Sequence, residues 1–282
     1  MQGNGVQCML GNEMVRKLEE VIEKPLKQSP GTQLYTGVDL GTAYIVIVVL
    51  DSMLRPVAGA MQFAQVVRDG LVVEYMEAIK IVQNLKALLE EQLGVELSVA
   101  ATAFPPGVSI GDRQSIKYVV EAAGFEVVKM DDEPSVANRV LGITDGAIVD
   151  IGGGTTGIAI VKNGEVVYVA DEPTGGTHFT LVLAGARRIP FTDAEAIKAD
   201  PRNYKEIQPL LIPVMEKVAA IIKRHIQGHK VRDIYLVGGT SCLPGIETVV
   251  EKHTGVKTTK PSNPLLVTPL GIAMSCLNNV DQ

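Results

Sequence analysis

The chain has no tryptophan, and aromatic residues make up only 4% of it. It therefore has little on which bases could stack. It also lacks a run of lysine and arginine dense enough to follow a phosphate backbone. With 26 basic and 32 acidic residues, the formal net charge is −6, and nucleic acid is not an expected partner. Cysteine is scarce. Cys8, Cys242 and Cys276 are far apart and odd in number, which excludes a disulfide framework or a CxxC metal knuckle and suits a reducing cytoplasm. No apolar run is long enough to span a bilayer: the longest, Ala43 to Leu50, is short and rich in β-branched residues, so it reads as a strand. The first thirty residues are mixed and charged, with no secretory apolar core, and a cytoplasmic location is expected. The histidines, His178, His225, His229 and His253, are scattered and expected at the surface or its boundary. His225 and His229 have helical spacing, but Gly228 weakens that helix and no third metal ligand is evident.

What is present is a chain of 282 residues, 46% hydrophobic and 21% charged. That suits two packed lobes, at roughly 150 residues per domain. We divide it into an N-terminal helix and linker (1–33), a first lobe (34–145) and a second (146–282). In the first segment Met14, Leu18, Val21 and Ile22 share one helical face, with Asn12 as the expected N-cap and Pro25 ending the helix.

From Tyr35 the pattern is strand, turn, strand. A third strand follows near Val57 to Phe63, then a helix over Val72 to Glu91. Next come a strand at Leu97 to Ala103, a helix at Ser115 to Ala123 and a strand at Phe125 to Met130. The plan then restarts. Ala147 to Asp150 and Ile158 to Val161 flank a glycine turn, and Asn163-Gly164 makes a hairpin into Glu165 to Ala170. Helices over Asp193 to Ala199 and Leu210 to Gln227 precede a strand at Asp233 to Val237. Strands alternating with helices indicate an α/β protein. The recurrence of Asp39-Leu40-Gly41 as Asp150-Ile151-Gly152, each closing a buried strand, indicates an internal duplication.

Gly152 to Gly157 matches GxGxxG, the dinucleotide fingerprint, which works only when a helix follows the turn. Here Ile158-Ala159-Ile160-Val161 alternates into Asn-Gly and is a strand, so the Rossmann reading fails. No GxxxxGK[ST] occurs, which excludes a P-loop. What remains is a glycine-rich hairpin turn whose amides can surround phosphate oxygens. A tight turn needing glycine for its backbone angles is the rival reading of either turn alone.

These segments resemble the actin, heat-shock chaperone and sugar-kinase ATPase superfamily. Gly37 to Thr42 is similar to its first phosphate segment, Ile148 to Thr156 to the second, and Leu236 to Gly245 to the adenosine segment. Asp132 to Ala137 and Pro269 to Ala273 are similar to its two connecting helices. Within the superfamily, the nearest resemblance is to the small chaperone-like ATPases of ethanolamine-utilisation systems. It implies two duplicated actin-like (ribonuclease H-like) lobes, each a mixed sheet flanked by helices, with a nucleotide cleft between them.

The implied cofactors are ATP or ADP with Mg²⁺. Asp39 and Asp150 would hold the hydrated metal. Gly41, Thr42 and Ala43 on one side, and Gly152, Gly153, Gly154, Thr155 and Thr156 on the other, would meet the phosphates. Gly175 and Gly176 match a further glycine pair of the chaperones. Glu133 matches the carboxylate that orients the attacking water; its other reading is an acid favoured by the helix dipole. Glu195 and Lys198 match the pair that contacts ribose and adenine, and otherwise read as a solvated i,i+3 pair. Gly238, Gly239, Thr240 and Ser241 would line the adenine, and otherwise form a plain turn. The chain departs from the chaperones at Cys242, where they have arginine, at Leu265, where they have aspartate, and at Gly157, where they have an acid. Their large insertion is missing between Phe63 and Leu97, and their phosphate-contacting lysine with it. The resemblance implies a protein client, an ethanolamine-utilisation enzyme or a microcompartment component, and at most slow hydrolysis. A filament or cell-division-type scaffold and a small-molecule kinase are the other functions compatible with these segments.

Overall fold

The computed structural model describes residues 3–29, 31–68 and 70–279, with side chains between Gly11 and Leu277. The chain divides into two compact units. The first takes the residues up to Ile143 together with those from Pro261 on, and the second runs from Thr144 to Lys260.

In the first unit a helix, α1 (Gly3–Glu23), precedes β1 (Leu34–Leu40), β2 (Tyr44–Asp51) and β3 (Pro56–Phe63). A small hairpin, β4 (Val67–Arg68) and β5 (Leu71–Val72), leads to α2 (Tyr75–Leu93). β6 (Val99–Phe104), α3 (Ile110–Ala122), β7 (Glu126–Asp132) and α4 (Glu133–Leu141) follow. The sheet order is β3-β2-β1-β6-β7, antiparallel among the first three strands and parallel among the last three. β2 reads Ile-Val-Ile-Val-Val-Leu and is buried on both faces, which is why it does not alternate.

The second unit holds β8 (Asp145–Ile151), β9 (Thr156–Lys162), β10 (Glu165–Glu172), α5 (Gly176–Arg187) and α6 (Phe191–Ala199). α7 (Tyr204–Ile226), β11 (Asp233–Val237), α8 (Ile246–Thr254) and β12 (Lys257–Thr259) complete it. Its order, β10-β9-β8-β11-β12, repeats the first sheet strand for strand, with the same change from antiparallel to parallel. The expected duplication is thus present in topology as well as in sequence. The expected Asn-Gly hairpin also forms, with both residues at positive φ, 54° and 82°. The last helix, α9 (Val267–Ser275), belongs to the first unit and crosses α4 closely. A Cβ on Gly271 would stand 2.0 Å from the Val136 carbonyl oxygen, so only glycine allows that crossing.

Four helices start earlier than the sequence suggests, α6 by only two residues, at Phe191. α1 begins at Gly3, and Asn12 lies inside it, where its side chain accepts the Ser262 amide (2.7 Å) instead of capping a helix. The apolar stripe is centred on Val15, Leu18 and Val21, all buried against the first unit, with Met14 and Ile22 half-buried at its margin. Glu19 accepts from Asn263 (2.8 Å) and adds a second polar tie. α3 starts at Ile110 because Ser109 caps it, accepting the Asp112 amide at 3.2 Å. α7 runs through Pro209 and Pro213 from Tyr204. Both prolines are exposed, so the carbonyls that lose a donor face water, and the helix tolerates them.

His225 lies at the boundary, as expected, and ties α7 to β10: its Nδ1 meets the Tyr168 hydroxyl (2.7 Å) and its Nε2 meets Glu172 (2.7 Å). Neither Cys242 nor Cys276 is in a disulfide. Burial pushes the Cys276 thiol up to about 12, so it is unreactive; Cys8 lies outside the described side chains.

Candidate functional site

Each unit presents its candidate residues at the carboxyl ends of its parallel strands, where open α/β sheets bind ligands. In the second unit Asp150 is the penultimate residue of β8 and lies in register with Val237, the last of β11. The chain leaves β11 through Gly238 at φ +85°, and a Cβ there would stand 2.1 Å from Asp150 Oδ1 and 2.7 Å from the Ile151 carbonyl oxygen. Gly238 is therefore glycine because the chain leaving β11 lies directly on the aspartate.

The turn from Gly152 to Thr155 is closed by the Gly152 amide donating to the Thr155 carbonyl (3.0 Å). Its next two carbonyls are anchored outward. Gly152 O accepts from the Gly176 amide (2.9 Å) and the Thr240 hydroxyl (2.8 Å). Gly153 O accepts from the Thr177 amide (2.8 Å) and hydroxyl (3.0 Å). A trans peptide carries its carbonyl and the following N–H on opposite sides. Fixing those carbonyls toward the N-terminus of α5 thus aims the Gly153 and Gly154 amides the other way, and no hydrogen bond among the described residues uses them. Successive outward amides form an anion-binding concavity. Thr155 is half-buried beside them. Thr156 is buried, and its hydroxyl donates to the Thr174 carbonyl (2.6 Å), bracing the turn from behind.

Gly175 and Gly176 open α5, Glu195 and Lys198 lie on α6, and the two helices meet through Thr180. Lys198 Nζ donates to the Gly176 carbonyl (3.1 Å) and to Thr180 Oγ1 (2.8 Å), and pairs with Glu195 at 2.8 Å. The buried Thr180 hydroxyl also meets Glu195 Oε2. Burial lowers the Lys198 pKa, and the Glu195 charge works against that. Far from being a solvated helix face, the pair belongs to the same network as the glycine turn. Beyond β11, Gly239 to Cys242 form a short 3₁₀ turn. Ser241 is buried, with its hydroxyl donating to Val237 O (2.7 Å), and Lys260 donates to the Ser241 (3.0 Å) and Leu243 (2.9 Å) carbonyls. Sequence reasoning missed Thr180 and Lys260. Thr180 had a signal, one turn beyond Gly176 on the same helix face, whereas Lys260 sits in an unpatterned loop.

In the first unit Asp39 is the penultimate residue of β1, and Gly41, Thr42 and Ala43 form the turn into β2; all four are half-buried. Beside them Thr102 of β6 donates its hydroxyl to the Val38 carbonyl (2.8 Å). Glu133 is the first residue of α4, just past the end of β7, with Asp132 as N-cap accepting the Ser135 amide at 3.0 Å. Asp39, the turn and Glu133 therefore lie at the same end of the first sheet, the carboxyl end of its parallel strands.

Two sheets of one repeated order, each closing a strand on aspartate and a glycine turn, make this an actin-like ATPase fold. Sequence profiles agree: that of the MreB/Mbl protein family matches residues 50–188, and that of the type IV pilus assembly protein PilM matches 138–268. The chain is 46% identical to the ethanolamine utilization protein EutJ of Salmonella typhimurium over 245 residues, 86% of each chain. The crystal structure of EutJ from Carboxydothermus hydrogenoformans superposes with a TM-score of 0.90 at 47% identity, covering 95% of this chain and 99% of that one. The chain belongs to the EutJ family. More distant similarities include the chaperone HscA homolog of Histophilus somni, 32% identical over 127 residues, 42% of this chain and 21% of that protein. MreB 5 of Spiroplasma citri bound to AMPPNP shares the fold, with a TM-score of 0.68 at 18% identity over 89% of this chain and 99% of that one.

Proposed function

We propose that this chain binds ATP with Mg²⁺, hydrolyses it slowly, and uses the nucleotide state to act on a protein client of an ethanolamine-utilisation system. The observation that carries the reading is the anchored turn after β8, whose carbonyls are fastened by the protein's own Gly176, Thr177 and Thr240 and whose Gly153 and Gly154 amides are aimed away from those anchors. Preorganised donors of this kind cost no reorganisation when an anion binds.

The donor set fits the metal. Mg²⁺ keeps most of its waters and asks a protein for only one or two carboxylates besides substrate phosphates. Asp39 in the first unit and Asp150 in the second each stand at a strand end, and either carboxylate answers that description; an ion bound to it would neutralise phosphate charge. The chain's own work is then positioning. The Gly153 and Gly154 amides and Thr155 hold phosphate oxygens, Gly41 to Ala43 offer a second set of donors, and Glu133 orients the attacking water and takes its proton. The new bond joins the water oxygen to the γ-phosphorus, the β–γ bridging P–O bond breaks, and ADP leaves with phosphate. Gly157 in place of an acid, and the missing lysine-bearing insertion, favour slow turnover.

The client reading draws on the family. The ethanolamine-utilisation relatives and the partial similarity to a chaperone support assistance to an enzyme or a microcompartment component. A role as an actin-like scaffold is the second reading, favoured by the MreB/Mbl match over 50–188. Purification with and without ATP and Mg²⁺, followed by phosphate release, co-purifying proteins and sedimentation, separates them. Slow release with a nucleotide-dependent partner supports the client reading, ATP-dependent pelleting of the pure chain supports the scaffold, and no nucleotide effect on any readout defeats both.

A further inference from the structure

An ammonium group has three N–H donors and no acceptor. In Lys198 all three have partners inside the second unit: the Gly176 carbonyl (3.1 Å), Thr180 Oγ1 (2.8 Å) and Glu195 (2.8 Å). None is left over for a ribose hydroxyl or a ring nitrogen. Gly176 is held on both sides, through the two peptide units that flank its Cα: its carbonyl takes Lys198 while its amide donates to Gly152 O (2.9 Å). Gly152 O in turn takes the Thr240 hydroxyl, and its orientation sets that of the Gly153 amide. A continuous chain of hydrogen bonds therefore runs from α6 through the start of α5 to the outward amides.

We infer that Lys198 is a positioning residue for the phosphate-binding turn, acting through Gly176, and is not a contact to the nucleoside. The inference rests on the nucleotide reading above and narrows it: the grip on phosphate is assembled before the nucleoside binds and without its help. Glu195 keeps a different role. Its Oε2 is occupied by Lys198 and Thr180, which fixes the carboxylate and leaves Oε1 to accept from a ligand hydroxyl.

The test uses the full chain and two probes, Mg-ATP and Mg-tripolyphosphate, the second having no nucleoside. Calorimetric affinities for both should fall by a similar factor in Lys198→Met, about ten- to a hundredfold for the loss of charge-assisted hydrogen bonds. The thermal midpoint should stay within a few degrees, and Lys198→Arg, which keeps the cation, should recover most of both affinities. Weakened ATP binding with unchanged tripolyphosphate binding would overturn the inference and make Lys198 a nucleoside contact. Should Lys198→Met not fold, Thr180→Val decides the matter, since it removes one anchor and keeps the charge. The same parallel loss is expected there, about three- to tenfold, and a loss confined to ATP contradicts it. A parent that binds ATP but not tripolyphosphate also contradicts it, because the grip would then not be preformed. A parent that binds neither defeats the nucleotide reading itself.

Discussion

The turn after β1 is three residues long, Gly41 to Ala43, and its tie to the sheet is the Ala43 carbonyl accepting from Ala64 (3.0 Å). The turn after β8 is four residues long, Gly152 to Thr155, and two of its carbonyls are fastened to the start of α5 and to Thr240. Both follow an aspartate in the same place of the same sheet. A threonine hydroxyl supports each: Thr102 donates to the strand before the first turn, and Thr240 to the turn itself. The strand-end carboxylate thus stands in both copies, and among the described residues only the second turn has a helix N-terminus as backing. The opposite bias holds at the sheet edges. α1 packs on β3, which is buried at Pro56 to Ala60, while its counterpart β10 leaves Val167 and Val169 54% and 43% exposed. The first unit spends its extra helix on stability, and the second spends its own on the turn.

The largest test of that division is deletion of residues 1–30. Removing a helix that buries Val15, Leu18 and Val21 should cost roughly 4–8 kcal/mol as an upper estimate from area burial. Thermal unfolding should report the loss, with partner co-purification intact at low temperature. Normal stability with lost co-purification would instead make α1 a targeting helix. Next comes Gly238→Ala, which forces a Cβ against Asp150 at positive φ and should cost about 2–5 kcal/mol together with ATP binding. Gly271→Ala, at the α4–α9 crossing, should cost stability in the first unit while sparing the anchored turn; equal effects of both on affinity would break the comparison. Glu133→Gln should slow hydrolysis by about 10²–10³-fold with ATP affinity retained. Equal turnover in mutant and parent would leave Glu133 as the acid that opens α4.

The smallest effect contrasts the two hairpins. Asp51, the last residue of β2 before the turn into β3, is disfavoured as an anion by burial, yet the Arg55 side chain (2.7 Å) and the Arg55 and Met53 amides (2.9 Å each) outweigh this and lower its pKa. A depressed carboxyl stabilises the fold above its unfolded value and loses that contribution as pH falls through the folded one. Asn163-Gly164, the matching turn of the second unit, has no such group. Asp51→Asn should therefore flatten the acid limb of the stability curve by up to about 1 kcal/mol, discounted for the exposed arginine. An unchanged acid limb would show that this turn does not contribute.

Most of the strands and the duplication were legible because β-branched runs, Asn-Gly and the repeated Asp-x-Gly are local signals. β4, β5 and β12, of two or three residues each, are too short to carry a pattern and were not read. Helix starts were not legible either. Ser109 caps α3 six residues before the expected start, and the helix through Pro209 depends on which side of it faces water, a tertiary fact. The glycine turn was legible as a phosphate candidate, but its anchoring by Thr177 and Thr240 was not, since those residues approach only after α5 and β11 pack. For the same reason, spacing alone left Glu195 and Lys198 open to a surface-pair reading, although both are largely buried beside Thr180.

The central claim, that Asp150 and the anchored turn after it grip Mg-ATP, is tested most directly by calorimetric titration of Mg-ATP into the parent and Asp150→Ala, each shown to be folded. The account predicts measurable Mg²⁺-dependent affinity in the parent and its loss, by about a hundredfold or more, in the variant, as for removal of one member of a charged pair in a binding site. Unchanged affinity in Asp150→Ala would contradict it.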